Sequence, residues 1–310
     1  MSWPNKTKTG ENGEKSNYPI PQRLGCLTAR LCGWLLAPLN PLLRRMQPAP
    51  QVADMVWHTG SGAGPGSLKI VYLTDLHAGP TTSMRTLAGV IERVGQLEPD
   101  LVLLGGDYFF GDLEPSEALG ARLSRLRPRY GIYGVLGNHD YGLGTDRVVR
   151  MLERAGVGVL RNRGARVETD TGSLWVGGVD DLWEGHPDPV GALSGRRAGE
   201  LSILLSHNPD LALDFRPDCD LVLSGHTHGG QVRFGPFPLY TNSRYGTRFA
   251  AGWSRVGRTR LYVSRGIGTV EVAVRFGAPA EITLLRLQSA LPGFPWMRYR
   301  KADPAELSVP

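Results

Sequence analysis

Side chains able to bind a metal or move a proton recur in this chain wherever a short apolar run ends: Asp75 and His77, then Asp107, then Asn138 and His139, then His207, then His226 and His228. Five of the seven histidines fall in such places. Taken singly, any one of them is more commonly a hydrogen-bonded structural residue than a ligand. Several strand ends delivering oxygen and nitrogen donors to one region is a different matter, because the carboxyl ends of strands in an open α/β sheet line the ligand crevice. The donors are carboxylate, imidazole and one amide oxygen, with no thiolate. Such a set suits Mn, Fe or Zn and is too rich in nitrogen for a dedicated calcium site. Two cations about 3.5–4 Å apart, bridged by a single carboxylate, polarise a phosphoryl group and generate a nucleophile from water.

The elements that must position these residues follow from the apolar pattern. A β-rich run over 68–74 ends at Asp75, and a helical pattern follows through Leu87, Val90, Ile91 and Val94. A purely apolar strand over 101–104 leads to Gly105-Gly-Asp107, and 118–126 reads as helix. A third strand over 131–136 leads to Gly137-Asn-His-Asp140, with helix again over 148–154. Strand and helix alternating in this way make βαβ units with buried parallel strands. The second half is richer in strands, expected over 173–179, 201–206, 221–224, 231–234, 261–264, 270–276 and 282–287.

A chain of 310 residues with 41% hydrophobic and 21% charged content can bury a full core and is not a disordered chain. The formal charge of +6 fits either an anionic partner or simple solubility. The basic residues form no dense block, so no specific nucleic-acid binding is expected. Cys26, Cys32 and Cys219 make no CxxC pair, which fits a reducing compartment and hence a cytoplasmic location. No acidic residue lies between Glu14 and Asp54, while Arg23, Arg30, Arg44 and Arg45 punctuate an apolar stretch. Leu24, Leu27, Leu31, Trp34 and Leu35 recur there at helical spacing, and Pro38 and Pro41 are expected to stop that helix. The run is too short to span a bilayer, which needs about 20 residues. It suits a helix lying in a membrane interface on the cytoplasmic face, or one packed on the protein's own surface. The expected division is a polar disordered tail over 1–17, the amphipathic segment over 18–46, a linker over 47–66, the main domain over 67–288 and a C-terminal tail over 289–310.

Asp75-Leu-His77, Gly106-Asp107, Gly137-Asn-His-Asp140, His207 and Gly225-His-Thr-His228 resemble, in order, the motifs of calcineurin-like metallophosphoesterases. Ser206-His-Asn-Pro209, Ser224-Gly-His-Thr-His-Gly-Gly-Gln231, Ser264-Arg-Gly-Ile-Gly268 and Val274-Arg-Phe276 are similar to the bacterial branch of YaeI-type membrane-associated phosphodiesterases. The resemblance implies a four-layer α/β/β/α sandwich, two mixed sheets flanked by helices. It implies two divalent or transition metal ions (Mn, Fe or Zn), one held by Asp75, His77 and His228 and the other by Asn138, His207 and His226, with Asp107 as the bridge. It makes His139 the residue that protonates the leaving oxygen, and Asp112 or Asp140 is available to orient that imidazole. The implied activity is hydrolysis of a phosphodiester or phosphomonoester by metal-activated hydroxide, on a lipid- or nucleotide-linked substrate at a membrane surface. The rivals are a soluble nucleotide phosphodiesterase or nuclease, and a non-catalytic scaffold. Phe110 and Gly111 stand where protein Ser/Thr phosphatases carry Asp and Arg, and Phe110 also stands where purple acid phosphatases carry their iron-binding Tyr.

Overall fold

Successive residues of the central strands point to opposite faces of their sheet, and this alternation builds the layers. A computed structural model describes residues 35–59 and 65–289 of the chain. One six-stranded sheet has the order β1-β14-β2-β3-β4-β5, from β1 (Gln51–Thr59), β14 (Glu281–Ser289), β2 (Ser67–Leu73), β3 (Leu101–Leu104), β4 (Ile132–Gly134) and β5 (Val157–Val159). The second has the order β12-β13-β9-β8-β7-β6, from β12 (Gly252–Val256), β13 (Thr259–Val263), β9 (Leu221–Ser224), β8 (Leu201–Leu205), β7 (Gly172–Gly178) and β6 (Arg163–Thr169). β2 through β5 are mutually parallel, as are β7, β8, β9 and β13. β14 against β2, β6 against β7 and β12 against β13 are antiparallel, so both sheets are mixed.

Three cores separate four layers. Ile70, Tyr72, Leu101 and Leu103 of the first sheet meet Ile203, Leu205, Leu221 and Leu223 of the second between the sheets. The alternate residues Val71, Leu73, Val102 and Leu104 face outward onto helices. Leu204 and Val222 face the other way, onto Ala192, Leu211, Ala212 and Phe249. Burying one such side chain contributes about 1.5–3 kcal/mol, so truncating a residue like Leu103 to Ala costs about 2–5 kcal/mol. The expected four-layer sandwich is therefore the observed architecture.

The helices over the first sheet form for readable reasons. In α2 (Met84–Gln96) the apolar positions Leu87, Val90, Ile91 and Val94 make one buried stripe, and the Ser83 side chain caps the first turn by accepting from the Thr86 N–H at 3.1 Å. α3 (Ser116–Leu123) and α5 (Thr145–Arg154) bury Leu119, Leu123, Val148 and Leu152 in the same core. α4 (Asn138–Gly142) is the short turn that follows β4.

Three sequence expectations differ from the structure. The segment over 47–66 is not all linker, because residues 51–59 form edge strand β1, paired in parallel with the last strand β14. Polar residues such as Gln51, Asp54 and His58 hide this strand's alternation, while Trp57 of the same strand is buried between the sheets. Residues 270–276 form an irregular loop rather than a strand, since side chains of other segments bond their backbone. Pro41 opens a helix instead of ending one: it lies in the first turn of α1 (Asn40–Met46), where no backbone N–H is needed. The helix expected from Leu24 onward lies outside the described residues up to 34, as do the tails 1–17 and 290–310.

Candidate metal centre

The parallel strands of both sheets end at the same edge of the sandwich, and the chemistry collects there. β2 leads to Asp75 and His77, β3 to Asp107, β4 to Asn138, β8 to His207 and β9 to His226 and His228. Asp75 (φ 55°), His77 (φ 46°), Asp107 (φ 55°), His226 (φ 68°) and His228 (φ 54°) all adopt the left-handed region that non-glycine residues rarely enter. Such strain persists where the surroundings over-determine it, and it clusters at functional sites. Here backbone bonds across loops hold it: Asp75 N–H donates to Gly106 O at 2.9 Å and His77 N–H to Asp107 O at 3.1 Å. Space is tight as well. Gly106 has φ 90°, and a Cβ there would lie 2.4 Å from the Gly137 nitrogen; a Cβ on Gly225 would lie 2.2 Å from Asp75 Oδ2.

Two clusters result, and a single carboxylate lies between them. Asp75, His77 and His228 bring ligand atoms together, as do Asp107, His207 and His226, with every residue buried. In the first, His77 Nε2 and His228 Nε2 are 3.1 Å apart, and Asp75 Oδ1 is 3.4 Å from His228 Nε2. In the second, His226 Nδ1 is 3.2 Å from His207 Nε2. Asp107 Oδ2 is 3.1 Å from His207 Nε2 and 3.6 Å from His77 Nε2, so it reaches both. The other nitrogen of His207 is bound to the Gly105 carbonyl at 2.8 Å, which makes it the donor and leaves Nε2 as the lone-pair side.

The residues fit a pair of cations. Asn138 Oδ1 is buried with no hydrogen-bond partner among the described residues, which a native structure tolerates where a ligand is bound. Burial holds His77 down to about 3 and holds His226 and His228 well below the usual imidazole range, keeping them in the neutral form that binds metal. His207 behaves oppositely. Burial alone would lower it, but the Asp107 charge and hydrogen bond push it up to about 10.

His139 lies at the edge of this cluster, half-buried, with its ring 5.1 Å from His77 and 5.3 Å from Phe110, edge-on to both. Its backbone N–H donates to Asp107 Oδ1 at 2.9 Å. Neither acid suggested as its partner bonds its ring. Asp140, expected to act catalytically by orienting His139, instead points under the loop: its carboxylate accepts the N–H groups of Asp107, Tyr108 and Gly137, each at 2.9 Å. Burial, followed by the Asp107 charge, pushes Asp140 up to about 8 against those donors. Asp140 is thus a positioning residue for Asp107. Asp112 is exposed and accepts from the Glu114 N–H.

The remaining aromatics divide. Trp183 stands edge-on to His226 at 4.3 Å, so it walls the site, and Tyr108 turns away to donate to Val135 O. Phe234 and Phe237 are exposed on a hairpin. Two site residues escaped the sequence reading. Asp181 follows β7 as the ligands follow their strands; it is buried, and its Oδ2 has no hydrogen-bond partner among the described residues. Its signal was that strand-end position. Arg275 is half-buried, pairs with no carboxylate among the described residues, and donates to His228 O (3.1 Å), Arg265 O (2.8 Å), Gly266 O (3.3 Å), Gly268 O (3.1 Å) and Ala278 O (3.0 Å). Burial draws its guanidinium down to about 10. It ties the loop carrying His228 to the loop packed on Asp75, a role that the Val274-Arg-Phe276 piece does not by itself announce.

Residues 68–230 match the family model described as Calcineurin-like phosphoesterase. The transmembrane protein with metallophosphoesterase domain of Bos taurus is 36% identical over 242 residues, which cover 72% of this chain and 54% of that protein. The uncharacterized metallophosphoesterase YkuE of Bacillus subtilis is 34% identical over 251 residues, covering 77% of this chain and 87% of YkuE. Phosphodiesterase YaeI of Escherichia coli is 33% identical over 228 residues, covering 71% of this chain and 82% of YaeI. The chain thus spans about half the length of the Bos taurus relative.

Proposed function

Since the chain belongs to the calcineurin-like phosphoesterases, we propose that it is a dimetal phosphodiesterase acting on a lipid- or nucleotide-linked diester at a membrane surface. The observation that carries the reading is the position of Asp107, whose Oδ2 lies within 3.6 Å of a histidine from each cluster. Asp75, His77 and His228 with Asp107 would hold one divalent cation, and Asn138, His207 and His226 with Asp107 the other. When bound, such a pair supplies Lewis-acid charge to the phosphoryl group and lowers the pKa of water.

The chain's own residues supply the rest. His139, beside His77 and partly open to solvent, delivers a proton to the departing oxygen, as an imidazole can near neutral pH. Asp140 and Arg275 hold the ligand-bearing loops in their strained conformation. Trp183 excludes water from one side of His226.

The preference for a diester draws on the similarity to YaeI, named a phosphodiesterase. The membrane setting draws on the basic, apolar stretch over 18–46 and on the Bos taurus relative, named a transmembrane protein. No helix among the described residues is long and apolar enough to cross a membrane. The test is a screen of Mn-loaded protein against bis(p-nitrophenyl) phosphate, p-nitrophenyl phosphate and a glycerophospholipid. Faster turnover of the diesters is expected; turnover of the monoester alone would refute the diester reading.

A further inference from the structure

A second apolar feature leaves the metal centre on its own strand ends. β10 (Arg233–Phe234) and β11 (Phe237–Pro238) form a short hairpin that begins a few residues after His228. Its large side chains do not pack inward: Phe234 is 58% exposed, Phe237 73%, Leu239 67%, and Phe276, whose ring lies 5.2 Å from Phe234, is 55% exposed. Large apolar side chains clustered on a surface mark an interaction site, whereas a lone exposed Leu marks nothing.

The backbone beneath the hairpin is built to hold it. Arg233 N–H donates to Phe276 O at 2.8 Å, and the Gln231 side chain spans to Val270 O and Val272 O, both at 3.1 Å. The same loop also carries α1. Asn40, buried, accepts from the Ala273 N–H at 2.8 Å and donates to Glu271 O at 3.1 Å. α1 adds exposed Leu42 and Met46, with exposed Leu39 just before it and Arg44 and Arg45 in its last turn. One loop over 270–277 is therefore hydrogen-bonded both to the hairpin and to the helix that continues the apolar, arginine-punctuated stretch.

We propose that the β10–β11 hairpin, with Phe276, is a bilayer-contacting surface that inserts between anionic phospholipid headgroups beside the metal centre. The charge pattern selects that occupant. Between Asp220 and Glu271 the chain has no acidic residue, while Arg233 lies on the hairpin itself and Arg44 and Arg45 lie in the last turn of α1. A second copy of a chain with net charge +6 would meet like charge there, whereas an anionic headgroup layer complements it. Aromatic rings at headgroup depth with cations nearby are the chemistry of interfacial binding. The consequence deepens the proposed function and rests on it: a lipid-linked diester would reach the ligands without leaving the membrane.

The test is co-sedimentation of the full chain with vesicles of phosphatidylcholine and phosphatidylglycerol, comparing wild type with Phe237→Ser and with Phe234→Ser/Phe237→Ser. Phe237 is so exposed that its substitution leaves the core untouched, so the single variant is informative even if the double variant folds poorly. At least a tenfold loss of vesicle binding in the double variant, a smaller loss in the single one, and unchanged hydrolysis of a small soluble diester are expected. Unchanged vesicle binding would overturn the proposal. So would a wild-type dimer, seen by light scattering, that Phe237→Ser converts to monomer, because the face would then belong to a second copy. Vesicle binding by a protein that hydrolyses no diester would refute the enzymatic reading and leave the surface standing.

Discussion

The two ends of the second sheet carry similar polar residues and treat them in opposite ways. At the amino ends of its parallel strands Glu200 accepts from Arg166 Nε (2.7 Å), the Arg197 N–H (2.9 Å) and Ser173 Oγ (2.7 Å). Asp220 there takes both the N–H (2.9 Å) and the hydroxyl (2.8 Å) of Ser202. At the carboxyl ends Asp181 Oδ2, Asn208 Nδ2, Ser224 Oγ and His226 Nε2, with Asn138 Oδ1 beside them from the first sheet, are buried with no hydrogen-bond partner among the described residues. A buried polar group without a partner costs about 1–3 kcal/mol, so a cluster of them has a reason outside the fold. Satisfied polar groups at one end do structural work, while unsatisfied ones at the other, held in strained backbone, await something bound.

Substitutions at the two ends should therefore separate activity from stability. The largest effect is expected for Asp107→Asn. Losing the negative charge between two cations removes several kcal/mol of stabilisation, a fall of roughly 10⁴-fold in kcat/KM, together with most of the bound metal. Elemental analysis beside steady-state kinetics checks both parts. Next comes His139→Ala, which should keep both metals while lowering turnover by roughly 10²–10³-fold. That loss should shrink for p-nitrophenolate, which leaves without protonation; equal losses for good and poor leaving groups would give His139 another role.

Arg275→Met should weaken metal binding by roughly 10–100-fold, the range for groups that hold ligands in place, with partial recovery in Arg275→Lys. Metal titration reads this directly, apart from turnover. The smallest effect on function, and the sharpest contrast, belongs to Glu200→Gln. Although burial raises the pKa of Glu200, its bonds from Arg166, the Arg197 N–H and Ser173 hold it down to about 2. Its stabilisation is thus present above the ordinary Glu range and is lost as pH falls toward about 2. At neutral pH the variant should be about 1–2 kcal/mol less stable with unchanged metal content and kcat. On acid unfolding the gap between variant and wild type should close. A change in metal content would break the separation between the two ends.

What could be read from the sequence follows the same divide. Asp75, Asp107 and His207 were visible because each follows a short apolar strand, where position alone predicts exposure to a shared crevice. The four layers were not readable from spacing: nothing local shows that Tyr72 and Leu103 face Leu205 and Leu223 across the molecule. β1 was missed because an edge strand with Gln51, Asp54 and His58 shows little apolar alternation. Asp140 was misassigned because adjacency to His139 suggested a partner, yet in a tight helical turn neighbouring side chains point apart, and its carboxylate turns to the Asp107 loop. Arg275 stands in the Val274-Arg-Phe276 piece, but its role is not legible there, since its partners are backbone carbonyls of two separate loops, the one carrying His228 and the one over 264–280.

The central claim, that the unsatisfied strand ends form one dimetal site bridged by Asp107, is tested most directly by counting metal in the purified, active protein by mass spectrometry. Two transition-metal ions per chain are expected in the wild type and fewer than one in Asp107→Asn; one ion or none in a wild type that still hydrolyses diesters would contradict it.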